Sequence, residues 1–368
     1  MFDPRWPFSD PAACTAREQG GGEHLDVVCI GHALVDRLAH VPAEEVAATN
    51  IEPGAMMLVD AERAGEIDRV VPVWEQAAGG SAANTAAGVA LLGGRPAFAG
   101  GVGDDELGRW YASDLEAIGV AASVAKGACD EPTGTCHVLV TPGGRRSMAT
   151  HLGAASVVPE AVVDSVGIER ALVLYVEGYL LDAAAAAALE RALEVARASG
   201  TVVSLSLSDP FVVSRHRERI SELVLGGSIS LLFGNEEEIC GLMGASSVTE
   251  AAARLARADA VTVITKGPSG SLAVVPSGDV FVEAEDVYPV VDTTGAGDLF
   301  AAGFLYGLTH GYGPKDALSI GSRAAGEVIA RLGARPMPGL GERILSLGLS
   351  SGGRPLLRAE SAARGPRA

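Results

Sequence analysis

DTTGAGD, Asp292 to Asp298, with the apolar segment LFAAGFLYGLTHG behind it, is the stretch on which the reading of this chain turns. Leu299, Phe300, Phe304, Leu305 and Leu308 recur at helical spacing, which predicts a helix from Asp298 to Gly311 with the glycines at its N-terminus. Such an end presents unpaired backbone N–H groups and a partial positive charge, and Gly295 and Gly297 have no Cβ to keep an anion away. That geometry suits a phosphoryl group. Asp298 beside it offers a base for the proton of an attacking hydroxyl. The competing reading is a glycine turn with Asp298 as a helix cap.

Composition narrows the classes. With 368 residues, 48% of them hydrophobic, the chain has ample material for a buried core in one large or two smaller domains. A net charge of −18 argues against nucleic-acid and anionic-membrane partners while leaving room for a local basic pocket. The five cysteines form no CxxC pair and read as reduced thiols, so the expected location is cytoplasmic. No signal peptide is expected, because the N-terminus lacks a basic stretch followed by an apolar run, and no apolar run is long enough to span a bilayer.

Residues 1–24 and 346–368 are expected to be flexible tails. LDVVCI, Leu25 to Ile30, reads as a buried strand, with Asp36 in the loop beyond it, where a carboxylate either grips ligand hydroxyls or meets solvent. From Val41 to Val73 a weak pattern suggests strands and turns off the main body. In AAGGSAANTAAGVALLGG a glycine pair precedes an alanine-rich helix; Gly80 allows close backbone approach, and Asn84 offers a donor and an acceptor near the helix start. TGTCHVLVTPGGRRSMATHLGA alternates as a hairpin around Pro142, Gly143 and Gly144, and its sheet is expected to be antiparallel. Segments 38–75 and 128–151 are therefore expected to form a small β lid over a cleft.

After Ala161 strands and helices alternate, which implies βα units on a parallel sheet. The strand ends carry Glu177, Asp209, Asn235 and Thr265, where ligands of open parallel sheets sit. Asn235 and Glu238 lie three apart at a helix start and either act together on hydrated magnesium or form a capping box. TKGPSGS, from Thr265, is a turn fit for a hairpin or for backbone donation to a nucleotide. Neither a P-loop signature nor a GxGxxG after a strand is present.

GGSAAN at Gly79 and DTTGAGD at Asp292, joined by GNEEE at Gly234 and TKGPSG at Thr265, resemble the PfkB or ribokinase-like family of carbohydrate and nucleoside kinases. The resemblance spans about residues 26–338. It implies an α/β fold, a ribokinase-like three-layer sandwich with a central, mainly parallel sheet and a small β lid, carried by one kinase domain over 25–345. It implies ATP and Mg2+ as cofactors, with Asp298 as catalytic base and Gly295, Ala296 and Gly297 as the anion hole. Asn235 and Glu238 match the family's Asn-x-x-Glu, which organises magnesium and phosphates, Glu238 through water. Thr265, Gly267 and Gly270 match its nucleotide-binding turn, and Asp36, Gly80 and Asn84 the positions that hold the acceptor's hydroxyls. A monovalent cation such as K+ beside the anion hole, held by carbonyls at Asp292 and Thr294, is a further implication, with Met337 standing where some members have a polar residue.

Segments such as YVEGYLLD and SLSDPFVVSRHR look most like bacterial members called adenosine kinases. The expected partner is thus a small-molecule nucleoside or sugar, together with a second copy of the chain in a homodimer. Apolar wall candidates Met56, Leu58, Cys136, Val138 and Phe211 favour adenosine; a sugar kinase of ribokinase, fructokinase or 2-keto-3-deoxygluconate type is the alternative. A non-catalytic nucleoside-binding protein is the alternative of another class.

Overall fold

The computed structural model describes residues 24–345 apart from 55, 72–74, 128, 143–145, 183, 276 and 336. The expected tails lie outside the described residues except for His24, as do Gly143 and Gly144 of the hairpin turn. In chain order the strands are β1 (Leu25–Ile30), β2 (Leu34–His40), β3 (Met56–Leu58), β4 (Glu75–Gly79), β5 (Pro96–Val102), β6 (Ala121–Lys126), β7 (Gly134–Val140), β8 (Arg146–His151), β9 (Ala171–Glu177), β10 (Val202–Ser206), β11 (Leu231–Asn235), β12 (Val261–Thr265), β13 (Ser271–Val274) and β14 (Val280–Val282). The helices begin with α1 (Ala43–Ala48), α2 (Ala61–Val70), α3 (Ser81–Leu91), α4 (Glu106–Ala117), α5 (Glu160–Ser165) and α6 (Ala186–Ser199). They continue with α7 (Pro210–Leu225), α8 (Glu236–Met243), α9 (Val248–Leu255), α10 (Ala296–Thr309), α11 (Pro314–Ile329) and α12 (Leu340–Leu345).

A nine-stranded sheet in the order β14-β13-β12-β11-β10-β9-β1-β5-β6 forms the body, parallel throughout except for β13 and β14 at one edge. β1 is buried along its whole length because each face meets its own core. Val27 and Cys29 pack with α3, α4, α10 and α11, while Val28 and Ile30 pack with α5 to α9. This is the expected three-layer sandwich. Strand order reverses at β1, which pairs with β5 on one side and β9 on the other, so its carboxyl end is the switch point at which such sheets take ligands.

The second sheet, β3-β8-β7-β2-β4, hangs off that end. It is mixed rather than antiparallel, since β2 with β7 and β3 with β8 run parallel; only the β7–β8 hairpin and the β2–β4 pair are antiparallel. It also reaches from 34 to 79 in the first lid segment, wider than 38–75. Between Val41 and Val73, where strands and turns were expected, the described residues hold the short strand β3 together with the helices α1 and α2. Asp60 caps α2 by accepting from Arg63 N at 2.8 Å, and Ala64 and Ile67, three apart, bury one face. These helices cover the outer side of the sheet through Val46, Ile67, Leu139 and Ala149. α7 starts at Pro210, because Asp209 accepts from Phe211 N at 2.7 Å and proline opens the helix.

Candidate active site

α10 is buried from Leu299 to Thr309, so its N-terminal turn is rigidly anchored; truncating Phe304 to alanine would cost about 3–5 kcal/mol. It begins at Ala296, two residues before the expected start, because Gly295 in the left-handed region is its cap and Asp298 lies inside the first turn. α3 packs on it closely: a Cβ on Gly88 would meet the Ala302 Cβ at 2.5 Å. The two helix N-termini are thereby brought together. Ser81 Oγ donates to Asp298 Oδ1 at 2.7 Å and Asn84 Nδ2 to Oδ2 at 2.9 Å, across more than two hundred residues of chain. Burial pushes the Asp298 carboxyl up to about 6, against the pull of those two hydrogen bonds. A carboxylate that titrates there is ionised, yet still basic, at neutral pH. Asn84 Oδ1 remains buried without a partner, one acceptor left for a ligand.

The start of α3 is fixed from the other side by Glu177, at the end of β9. Its Oε2 accepts from Ala82 N at 2.9 Å and its Oε1 from His32 N at 2.7 Å, with His32 Nδ1 at 2.6 Å from the same oxygen. Gly80, at φ +96°, precedes the helix; a Cβ there would stand 2.1 Å from the His32 carbonyl oxygen, so only glycine permits this turn.

Asp36 is not in a loop after β1. It sits within β2, paired with Ala77 on one side and Cys136 on the other, and Thr150 lies opposite Cys136. Burial pushes its carboxyl up to about 7; Arg335 pulls it down, while Asp298 and Asp292 push it up. Strand alternation puts Met56, Leu58, Cys136 and Val138 on the same face as Asp36. Cys136 and Val138 belong to the apolar cluster of that face, and Met56 and Leu58 are exposed. Phe211 is in the body instead, in the first turn of α7, its exposed ring under the Arg215 guanidinium at 4.3 Å.

The turn before α10 is tied to the lid. Buried Asp292 accepts from Thr294 N at 2.9 Å and Thr294 Oγ1 at 2.6 Å through Oδ1, and from Gly333 N at 2.9 Å through Oδ2. Arg146, the first residue of β8, places Nε 3.3 Å from Asp292 Oδ1, donates through Nη2 to Thr293 Oγ1 at 3.0 Å, and through Nη1 to Thr294 Oγ1. A lid guanidinium thus engages the side chains of both residues expected at the monovalent-cation position. Met337 is exposed. Of the three backbone groups expected in the anion hole, Ala296 N donates to Thr293 O at 3.3 Å. Gly297 has nothing within 4 Å of where a Cβ would be, a cradle in which an anion fits.

On the side expected to take the nucleotide, Asn235 and Glu238 form the capping box. Asn235 Oδ1 accepts from Glu238 N at 2.9 Å and Glu238 Oε2 from Asn235 N at 2.9 Å, with Asn235 Nδ2 on Oε1 at 2.8 Å. Burial, with Asp209 and Glu237 near, raises the Glu238 carboxyl to about 7 against the pull of the Asn235 backbone. Such a carboxylate, occupied by its cap, suits a cation held through water rather than direct ligation. Thr265 ends β12 opposite Ser271, Gly267 is exposed with open space where a Cβ would stand, and Gly270 is backed by the Val282 carbonyl and donates to the Gly267 carbonyl at 3.1 Å, so the turn is a hairpin exposed at Gly267. Glu177, expected at a strand end beside a ligand, instead locks the start of α3, while Ser81, Arg146 and Arg335 take places in the site that the sequence reading did not assign. Ser81 lay inside GGSAAN and Arg146 in GGRRS, so a signal was there for both.

A profile of the pfkB family carbohydrate kinases matches residues 26–339. The chain belongs to that family. It is a kinase, a phosphotransferase with an alcohol acceptor, and the family implies ATP and typically Mg2+. This pfkB-family chain is similar to the adenosine kinase of Sinorhizobium meliloti, with a TM-score of 0.82 and 37% identity over 89% of this chain and 100% of that one. A probable sugar kinase of Rhizobium etli CFN 42 gives 0.81 and 36%, covering 88% and 99%. A 5-dehydro-2-deoxygluconokinase of Shouchella clausii is 29% identical, covering 87% of this chain and 95% of its own length. Among the described residues no helix is long and apolar enough to cross a membrane.

Proposed function

We propose that the chain transfers the γ-phosphoryl group of ATP to the 5′-hydroxyl of adenosine, with Asp298 as the base. The observation that carries the chemistry is Asp298 itself: a half-buried carboxylate gripped at both oxygens, one residue from the open backbone at Gly297. In this reading Asp298 takes the hydroxyl proton as the oxygen attacks phosphorus in line, and the N–H groups at the start of α10 meet the charge on the transferring group. Gly267, Gly270 and Thr265 present backbone and hydroxyl to the nucleotide. Mg2+, held through water by Glu238 with Asn235, would neutralise phosphate charge.

Asp36 accepts hydrogen bonds from two hydroxyls of a furanose ring, with Gly80 and Asn84 beside it. Support for a nucleoside comes from the face that Asp36 shares with Met56, Leu58, Cys136 and Val138, an apolar wall suited to a base. A sugar or sugar-acid acceptor is the second reading, favoured by the likeness to 5-dehydro-2-deoxygluconokinase. A coupled ADP-release screen over adenosine, other nucleosides, ribose, fructose and 2-keto-3-deoxygluconate tests the choice. The highest kcat/KM is expected for adenosine; a higher value for a simple sugar would overturn the nucleoside reading, and no magnesium-dependent ADP formation with any acceptor would favour a binding protein.

A further inference from the structure

The loop after α11 touches both halves of the site. Leu332 joins the apolar cluster on the inner lid face, Gly333 donates to Asp292, and Ala334 packs on Gly295 so that a Cβ there would meet it at 2.7 Å. Arg335 follows, and its Nε donates to the Ala78 carbonyl, next to the Gly79 carbonyl that the Tyr111 hydroxyl holds at 2.9 Å. Two carbonyls leading into the Gly80 turn are therefore pinned, one by each side chain. Nη1 and Nη2 of Arg335 are buried without a hydrogen-bond partner. A buried guanidinium in that state is costly unless nearby anions repay it. Asp36, Asp298 and Asp114, with the Tyr111 hydroxyl, lie within its electrostatic reach, yet none forms an ion pair with it among the described residues.

We propose that Arg335 is a positioning residue for phosphoryl transfer: anchored to β4 at Ala78, its guanidinium is the shared counter-charge that holds Asp298 ready as the proton acceptor and Asp36 as the hydrogen-bond acceptor for the substrate's hydroxyls. The inference rests on the reading of Asp298 as base and Asp36 as the acceptor's grip. Both carboxyls are driven up by burial, and Asp298 and Asp292 also repel charge on Asp36. Glu177 does the same to Asp298, with the Tyr175 and Tyr179 hydroxyls near it; Cys136 and Tyr111 flank Asp36. Arg335 is the cation common to both carboxylates, pulling each toward its charged form.

The test is the pH profile of kcat/KM for the acceptor, from pH 5 to 9, on full-length protein carrying Arg335→Gln or Arg335→Lys. A base loses activity as pH falls through its pKa, so removing the counter-charge should move the acid limb upward, by about one unit for Gln. The Gln variant then loses about tenfold more at pH 5 than at pH 9, while Lys, which keeps the charge, stays within about half a unit of wild type. Uniform losses across pH, or a Lys limb displaced as far as that of Gln, would overturn the proposal. Should the Gln variant not fold, Arg335→Met is the neutral replacement with the same expectation. Asp298→Asn in the same series separates the two levels. Wild-type activity there removes the base assignment and this inference with it, whereas an inactive Asn variant beside an unmoved Gln limb removes this inference alone.

Discussion

The side of the cleft proposed for the acceptor is held by side chains, the side proposed for the nucleotide by backbone. On the first, Asp298 is gripped by Ser81 and Asn84, Glu177 locks the start of α3, and Asp36 is fixed inside a sheet. On the second, Gly267 and Gly297 stand in open space, and Asn235 and Glu238 spend their hydrogen bonds on each other. The contrast follows from what each side is asked to do in the proposed reaction. A base must sit within a few tenths of an ångström of the proton it takes, which needs locked rotamers, whereas phosphate charge is met well by amide groups at helix ends and turns.

The most severe way to break the acceptor side is Asp298→Asn, which keeps the shape and removes the base. kcat should fall by about 10²-fold or more with the dissociation constants for both substrates nearly unchanged, read by steady-state kinetics and calorimetry. An undiminished kcat would refute the assignment. The glycines allow a sharper contrast between the sides. Gly80→Ala forces a Cβ against the His32 carbonyl, so kcat/KM for the acceptor should drop about 10–100-fold and Tm should fall, with KM for ATP little changed. Gly297→Ala meets no protein atom and should leave Tm alone, but KM for ATP should rise about tenfold as the methyl enters the anion's place. If the two variants affected the same substrate, the division of the cleft would be wrong. The smallest effect is reserved for Glu238→Gln, whose amide oxygen keeps the bond from Asn235 N while its NH2 loses the one from Asn235 Nδ2, so stability should fall by about 1 kcal/mol. The Mg2+ concentration for half-maximal rate should nevertheless rise several-fold, and an unaltered magnesium response would leave Glu238 a helix cap alone.

What was legible in the sequence was local or periodic. The strand–helix rhythm after Ala161 gave the parallel body, and the apolar spacing behind DTTGAGD gave α10 to within two residues at each end. The lid helices were missed because α1 has six residues and a single buried position, Val46, too few to show a period. In α2 the cap at Asp60 is a signal that the sequence does carry. Asp36 was misplaced because β2 begins only three residues after the residue following β1, and the glycine at Gly31 hid that restart. The meeting of Ser81 and Asn84 with Asp298 depends on how α3 packs on α10, a fact of tertiary structure that no window of the chain contains. Arg335 lies in GARPMPG, where no pattern announces that its guanidinium will be buried among carboxylates.

The central claim, that this cleft moves a phosphoryl group from ATP to the 5′-hydroxyl of a nucleoside, is tested most directly by identifying the product. Full-length protein with ATP, Mg2+ and adenosine, followed by 31P NMR, should form 5′-AMP and ADP in equal amounts and neither without Mg2+. ADP accompanied by free phosphate, with no phosphorylated adenosine, would contradict it.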